Sequence, residues 1–215
     1  QIDVPYLHAL QHYRQALKQR NELLRTHKVD EALLDVWDEQ LVHHGQAIVQ
    51  ARQGFLSQLG ALAQTAYAHI TGGERLDVTY QPDVPSDLKP ALAKARASDI
   101  RRQMTTHGPH RDDFDINVNR QLARSFASQG QQKAASLALK LAELALVRER
   151  TGEHPILMLD EVLSELDEKR ARMLFSSIDP EVQCFVTTTK DLSAHDSPIQ
   201  RECAFHYIQR GRLEQ

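Results

Sequence analysis

An α/β domain joined to a long helical arm is the fold class this sequence predicts, on three observations. Residues 1–70 carry almost purely helical periodicity. Beyond them, short apolar runs alternate with amphipathic segments, the pattern of a sheet layered with helices. One such run, Ile156-Leu157-Met158-Leu159, ends on two adjacent acids, Asp160 and Glu161.

Taken in order, Tyr6, Leu10, Tyr13, Leu17 and Leu24 fall on one face of a first helix. A polar break follows at His27–Asp30, with Asp30 placed to cap the next helix. From Leu34 through Trp37, Leu41, Ile48, Phe55, Leu59, Leu62 and Ala66 the apolar positions alternate threes and fours, close to a heptad seam. Gly45 and Arg52 interrupt it. As one helix, 31–70 would be roughly 60 Å long, and Thr71-Gly72-Gly73 ends it. The expectation is a helical, coiled-coil-like arm over 1–73, the alternative being a compact bundle broken near Gly45. Residues 74–215 form the second domain.

There, Leu76–Tyr80 has a strand pattern and Pro82 and Pro85 break it. Asp87–Met104 is a basic amphipathic helix bearing Lys89, Lys94, Arg96, Arg101 and Arg102. Phe114–Val118 alternates as a half-buried strand, with Asn119-Arg120 as its turn. A helix over 128–150 ends at Thr151-Gly152. Pro155–Leu159, apolar throughout, predicts a strand buried on both faces. Glu165–Ile178 is helical, with Ser164–Asp167 as a capping box. Strands at Gln183–Val186 and Phe205–Ile208 follow, the last before an Arg210-Gly211 turn.

With 41% apolar and 26% charged residues, the chain excludes disordered and fibrous classes. A net charge of −3 means that any nucleic-acid surface is local rather than global. Two cysteines, Cys184 and Cys203, lack metal-ligand spacing and form no disulfide framework; both are expected as buried thiols in a reducing, cytoplasmic setting. No run is long enough to span a membrane, so no membrane partner is expected. The chain opens on Gln rather than Met, as a piece of a longer protein would.

Two segments carry chemistry. Carboxylates at the carboxyl end of a core strand stand where α/β sheets bind ligands; one can hold Mg²⁺ and the next can face a water. By itself the pair also fits a helix start. Ser128-Gln129-Gly130-Gln131-Gln132 opens the 128–150 helix with more polar residues than a cap needs. A hydroxyl, unencumbered N–H groups and the positive end of the helix dipole suit a terminal phosphate. His107, His110, Asp112 and Asp113 invite a metal reading, but a third spaced ligand is lacking and a hydrogen-bonded structural role for His110 and Arg111 fits better. His43 and His44 are expected to face solvent.

Together, Gly108–Asp113 (GPHRDD), Ser128–Gln132 (SQGQQ), Leu159–Asp167 (LDEVLSELD) and Phe185–Thr189 resemble the RecF family, within the SMC-like group of ATP-binding-cassette ATPases. The likeness covers 76–215, and the helical arm fits the family's second domain. It implies a partial ABC-type ATPase head, with ATP and Mg²⁺ as cofactors in the complete protein. Ser128, Gln129, Gly130 and Gln131 then look like the signature loop, Asp160 like the Walker B magnesium aspartate and Glu161 like the glutamate that polarises water. Ser164 and Asp167 look like the D-loop. Thr187, Thr188 and Thr189 lie where relatives place a switch histidine, which this sequence lacks.

The resemblance further implies roles in DNA repair, recombination, replication and the SOS response. It implies duplex or junction DNA as a partner, together with an ATP-dependent homodimer and RecR-like mediator proteins; Lys89, Lys94, Arg96, Arg101 and Arg102 are the candidate DNA contacts, although the residues alone read as a solvated helix face. None of the nine glycines precedes a lysine, so no Walker A loop is present. The expectation is therefore the C-terminal portion of such a protein, an ATPase when joined to the Walker A lobe and inactive alone. A non-catalytic binding module and a transporter nucleotide-binding subunit are the competing readings; the long arm and missing switch histidine count against the second.

Overall fold

The structure is a computed structural model that describes residues 3–190, 197–199, 202–209 and 212–214. The first helix, α1 (Val4–Leu24), starts where the Asp3 carboxylate accepts from the Tyr6 N–H at 2.8 Å. Asp30 caps the second in the same way, accepting from Ala32 at 3.0 Å and Leu33 at 3.1 Å. That helix, α2 (Glu31–Thr71), runs unbroken for 41 residues. Gly72 and Gly73, at φ +77° and +114°, stop it, and the Gly73 N–H returns to the Ala68 carbonyl at 2.8 Å.

Gly45 does not break α2. A Cβ there would lie 2.8 Å from Leu88 Cδ2 and 3.4 Å from Tyr13 Cε2, so the glycine permits close packing instead. Strand β1 (Leu76–Gln81) precedes α3 (Leu88–Arg102), whose N-cap is Asp87. Strand β2 (Asp113–Val118) turns through Asn119 and Arg120, both at positive φ, into β3 (Gln121–Leu122). These strands make a three-stranded sheet of order β1-β2-β3.

Then come α4 (Ala123–Phe126) and α5 (Gln129–Thr151), the latter ended by Gly152 at φ +72°. Strand β4 (Leu157–Asp160) leads through α6 (Val162–Glu165) and α7 (Glu168–Ser177) to β5 (Cys184–Thr187), which pairs with β4 in parallel. Finally β6 (Tyr207–Gln209) and β7 (Arg212–Glu214) pair antiparallel. The expected strand at Phe205–Ile208 thus begins later, at Tyr207, and ends at Gln209, and the Arg210-Gly211 turn lies outside the described residues.

Two compact units are interleaved along the chain: Gln1–Ala61 with Asp77–Asn117, and Leu62–Leu76 with Val118–Gln215. In the first, a core of Ala9, Tyr13 and Ala16 on α1, Leu41 and Ile48 on α2, and Leu88 and Leu92 on α3 binds three helices together. So α3 and the Gly108–Asp113 segment group with the N-terminal helices, where a single boundary at 73/74 would divide them. Arg20 lies fully buried on the apolar face of α1, held by Asp38 at 2.6 Å, Asp99 at 2.8 Å and Thr105 at 2.9 Å. Arg52, the second seam interruption, donates to the Pro109 carbonyl at 2.6 Å, Asp112 at 3.0 Å and the Tyr6 hydroxyl at 3.2 Å. Both arginines spend an apolar position on anchoring loops.

In the second unit α5 buries Ala134, Ala135, Ala138, Ala142 and Leu146. Strand β4 corrects an expectation: it alternates buried and exposed instead of being covered on both faces. Leu157 and Leu159 point inward, while Ile156 is 59% and Met158 77% exposed, and Met158's register partner Phe185 is 51% exposed. With two strands in this sheet, one apolar face lacks a cover among the described residues. The cysteine expectation also fails in part: Cys184 is half-buried and Cys203 exposed.

Candidate functional site

The parallel register brings Asp160 opposite Thr187 at the carboxyl ends of β4 and β5. The Thr187 hydroxyl donates to Asp160 Oδ1. The Glu161 N–H donates to the Thr187 carbonyl at 3.1 Å, with the Thr187 hydroxyl oxygen 3.3 Å away. Glu161 itself adopts φ +53°, ψ +17° as the residue entering α6. A left-handed backbone costs a branched or long side chain about 1–2 kcal/mol. Such strain persists where surrounding contacts impose it, commonly at functional sites. Asp160 is exposed with one carboxylate oxygen held by Thr187, so its other oxygen is available to a hydrated divalent cation. The donor set therefore fits Mg²⁺.

Thr188 accepts from the Lys190 N–H at 3.1 Å, and Lys190 Nζ donates to the Leu163 carbonyl at 2.7 Å, tying the segment after β5 to α6. Thr189 is exposed. Of the predicted switch residues, Thr187 is the one joined to the acids.

At the start of α5 every polar residue after the glycine has a local partner. Ser128 Oγ accepts from the Gln131 N–H at 3.2 Å, and Gln131 Oε1 accepts from the Ser128 N–H at 2.9 Å, a full capping box. Gln131 Nε2 donates to Glu74 at 2.7 Å, and Gln132 Nε2 donates to the Ala123 and Ala127 carbonyls at 3.1 Å each. The glutamines thus have a structural use that sequence reasoning missed. The box satisfies two of the four first-turn donors and leaves the N–H groups of Gln129 and Gly130 without an intrahelical acceptor. Glu74 also receives Tyr67 and Asn119, each at 3.3 Å, and burial, then the Glu74 charge, pushes the Tyr67 phenol up.

The helix after the acids is capped at Asp167, not Ser164. The Asp167 carboxylate accepts from the Arg170 N–H at 2.9 Å, because a second short helix, α6, takes up residues 162–165 first. The side chain of Ser164 lies outside what is described.

Among the proposed DNA contacts, Lys89, Lys94, Arg101 and Arg102 are exposed on α3. Arg96 is engaged differently: it pairs with Asp38 at 2.8 Å and with Asp35, bracing α3 on α2. His107, His110 and Asp112 do not converge on a metal. His107 meets Asp83 at 3.0 Å; His110 bridges the Tyr13 hydroxyl at 2.7 Å and the Thr105 carbonyl at 3.2 Å; Asp112 receives Arg52, Tyr80 and the Asp83 N–H. The carbonyl contact makes His110 Nε2 the protonated nitrogen, so Nδ1 accepts from Tyr13. Burial holds His110 below the usual histidine range. Among the described residues, His154, Asp179 and Glu181 are the group close enough to share an ion, and Arg148 already pairs with both acids. His43 is exposed; His44 is half-buried and stacks on His12 with ring centroids 5.0 Å apart.

No helix among the described residues is long and apolar enough to cross a membrane. No family model matches the chain. Individual relatives do. It is 39% identical over 230 residues to the DNA replication and repair protein RecF of Lactobacillus johnsonii, covering 99% of this chain and 61% of that one. It is 42% identical over 219 residues to the RecF of Lachnoclostridium phytofermentans, covering 100% and 60%. A solved structure of the recombination mediator RecF with ATPγS, in the RecFOR pathway, superposes with a TM-score of 0.80 at 32% identity, over 99% of this chain and 59% of that one. A RecF–ATP structure does so with a TM-score of 0.76 at 34% identity, over 88% and 54%. The chain spans about three fifths of the curated relatives' length, and over that span both its sequence and its fold match those of RecF proteins.

Proposed function

We propose that this chain is the C-terminal portion of a RecF-type ATPase that binds DNA in recombinational repair and replication, dimerises when ATP is bound, and releases DNA on hydrolysis. The observation that carries the reading is the Asp160–Glu161–Thr187 cluster at the carboxyl end of the parallel pair, with Glu161 held in a strained backbone. The relatives solved with ATP and ATPγS support ATP as the ligand. Bound ATP and Mg²⁺ supply the triphosphate and the cation that neutralises it.

Asp160 is the carboxylate that holds the hydrated Mg²⁺, fixed in rotamer by the Thr187 hydroxyl. Glu161 orients the attacking water and accepts its proton, a contribution of positioning and charge rather than covalent chemistry. The Ser128 hydroxyl and the Gln129 and Gly130 N–H groups face the terminal phosphate of ATP held by a second copy, so nucleotide bridges two heads in a C2 arrangement. Asp167 belongs to the turn that follows the acids across the same interface. The Ile156, Met158 and Phe185 face, uncovered among the described residues, supports a further lobe seated on this sheet, bearing the Walker A loop that the chain lacks. Lys89, Lys94, Arg101 and Arg102 contact DNA phosphates, with RecR-like mediators as protein partners; such contacts are sequence-blind and salt-sensitive. The missing Walker A loop favours a second reading for the isolated chain, a binding and dimerisation module without turnover.

Glu161→Gln tests the reading. In the complete protein it should lower hydrolysis at least about 100-fold while ATP-bound dimer accumulates. Unchanged turnover removes the assignment.

A further inference from the structure

Position 130 carries more information than a helix start requires. A Cβ on Gly130 would lie 2.6 Å from Arg170 Nη1 and 3.7 Å from Arg170 Cζ. Arg170 comes from the first turn of α7, where its own N–H is bound to Asp167 and its Nη1 lies 3.4 Å from the Asp167 carboxylate. One guanidinium therefore spans the Ser128–Gln131 turn and the Asp167 turn. A cation beside the positive end of α5 is unfavourable unless anions compensate, and Glu74 lies against the same turn through Gln131 Nε2 at 2.7 Å. Asp167 compensates only in part, because its side chain is 56% exposed.

We infer that Arg170 is a positioning residue, locking the first turn of α5 to the Asp167 turn so that the two present one surface to the terminal phosphate of a nucleoside triphosphate. This rests on the phosphate-facing reading of the Ser128 turn. It also explains the glycine in steric terms: any side chain at 130 pushes the guanidinium out of its seat. Arginine is flexible enough to leave without unfolding the helix, so the damage is to geometry rather than to the fold.

The test is a cycle in the complete protein: Arg170→Ala, Gly130→Ala and the double variant, with Arg170→Lys as a fourth. Each is measured for ATP binding by the monomer, for the concentration midpoint of dimerisation with ATP and Mg²⁺, and for thermal melting. Arg170→Ala and Gly130→Ala should each raise the dimerisation midpoint about tenfold. For Arg170→Ala, monomer ATP affinity should stay within about twofold and melting should scarcely move. The double variant should be no worse than either single one, because both delete the same contact, and Arg170→Lys should recover part of the loss. Multiplying effects in the double variant, or wild-type dimerisation by Arg170→Ala, would overturn the inference. A wild type that stays monomeric with ATP overturns the parent reading instead, recognisable because all proteins in the cycle then behave alike.

Discussion

Arg20→Met is the sharpest test of how the first unit is held together. Methionine fills much of the arginine stem's volume but removes the charge and three donated hydrogen bonds, to Asp38 at 2.6 Å, Asp99 at 2.8 Å and Thr105 at 2.9 Å. The two carboxylates are not left alike. Asp38 keeps Arg96 at 2.8 Å. Asp99, fully buried, keeps the Thr106 hydroxyl at 2.6 Å and N–H at 3.1 Å but loses its cation. One uncompensated buried charge costs about 3–5 kcal/mol. Asp99→Asn in the same background removes that charge and should restore about half the loss. Trp37, the single tryptophan, packs against the core of this unit, so its fluorescence follows this transition in urea without interference from the rest of the chain. A fall in midpoint with unchanged slope is expected. A loss below about 1 kcal/mol, or a double variant no better than Arg20→Met, would show that Asp99 does not depend on the Arg20 cation.

Other consequences follow from the same geometry. Gly45→Ala puts a methyl 2.8 Å from Leu88 Cδ2 and should destabilise the first unit by about 1–3 kcal/mol in the same fluorescence assay. His110 is held below its ordinary pKa by burial, so the unfolded chain takes up the proton first. Stability is then full above about pH 6.5 and is lost as pH falls from there through the lowered native value. His110→Gln should flatten that slope; His44, lowered in turn by burial, His43 and His12, leaves a residual one.

Much of the architecture was legible because it rests on local chemistry. Asp30, the glycines after Thr71, the Asn119-Arg120 turn and the limits of α5 are set by caps and positive φ, which single residues announce. What stayed hidden depends on partners distant in the chain. The Arg20 cluster draws on three separate segments, and nothing in its neighbourhood distinguishes it from a solvated charge, save that it stands on the Tyr13–Leu24 face. Gly45 looks like a break until Leu88 is seen against it. The apolar run before Asp160 suggests burial on two faces, and only the β4–β5 pairing shows Ile156 and Met158 on a face left open among the described residues. At the site, Asp160, Glu161 and the Ser128 turn were legible as a linear pattern. The tie to Thr187, the use of Gln131 on Glu74 and the Arg170 bridge were not, since each is a tertiary hydrogen bond or close approach.

In the proposed assembly the Ser128–Gly130 tip serves a triphosphate held by another copy, while Asp160 and Glu161 serve the chain's own. Ser128→Arg places a long cation across that tip without touching the acids. Light scattering of the complete protein with ATP and Mg²⁺, run beside an ATP-binding measurement, separates dimer formation from nucleotide binding. Ser128→Arg should bind ATP like wild type, within about twofold, yet remain monomeric; an ATP-bound dimer formed as readily as by wild type would rule out the tip's role in trans.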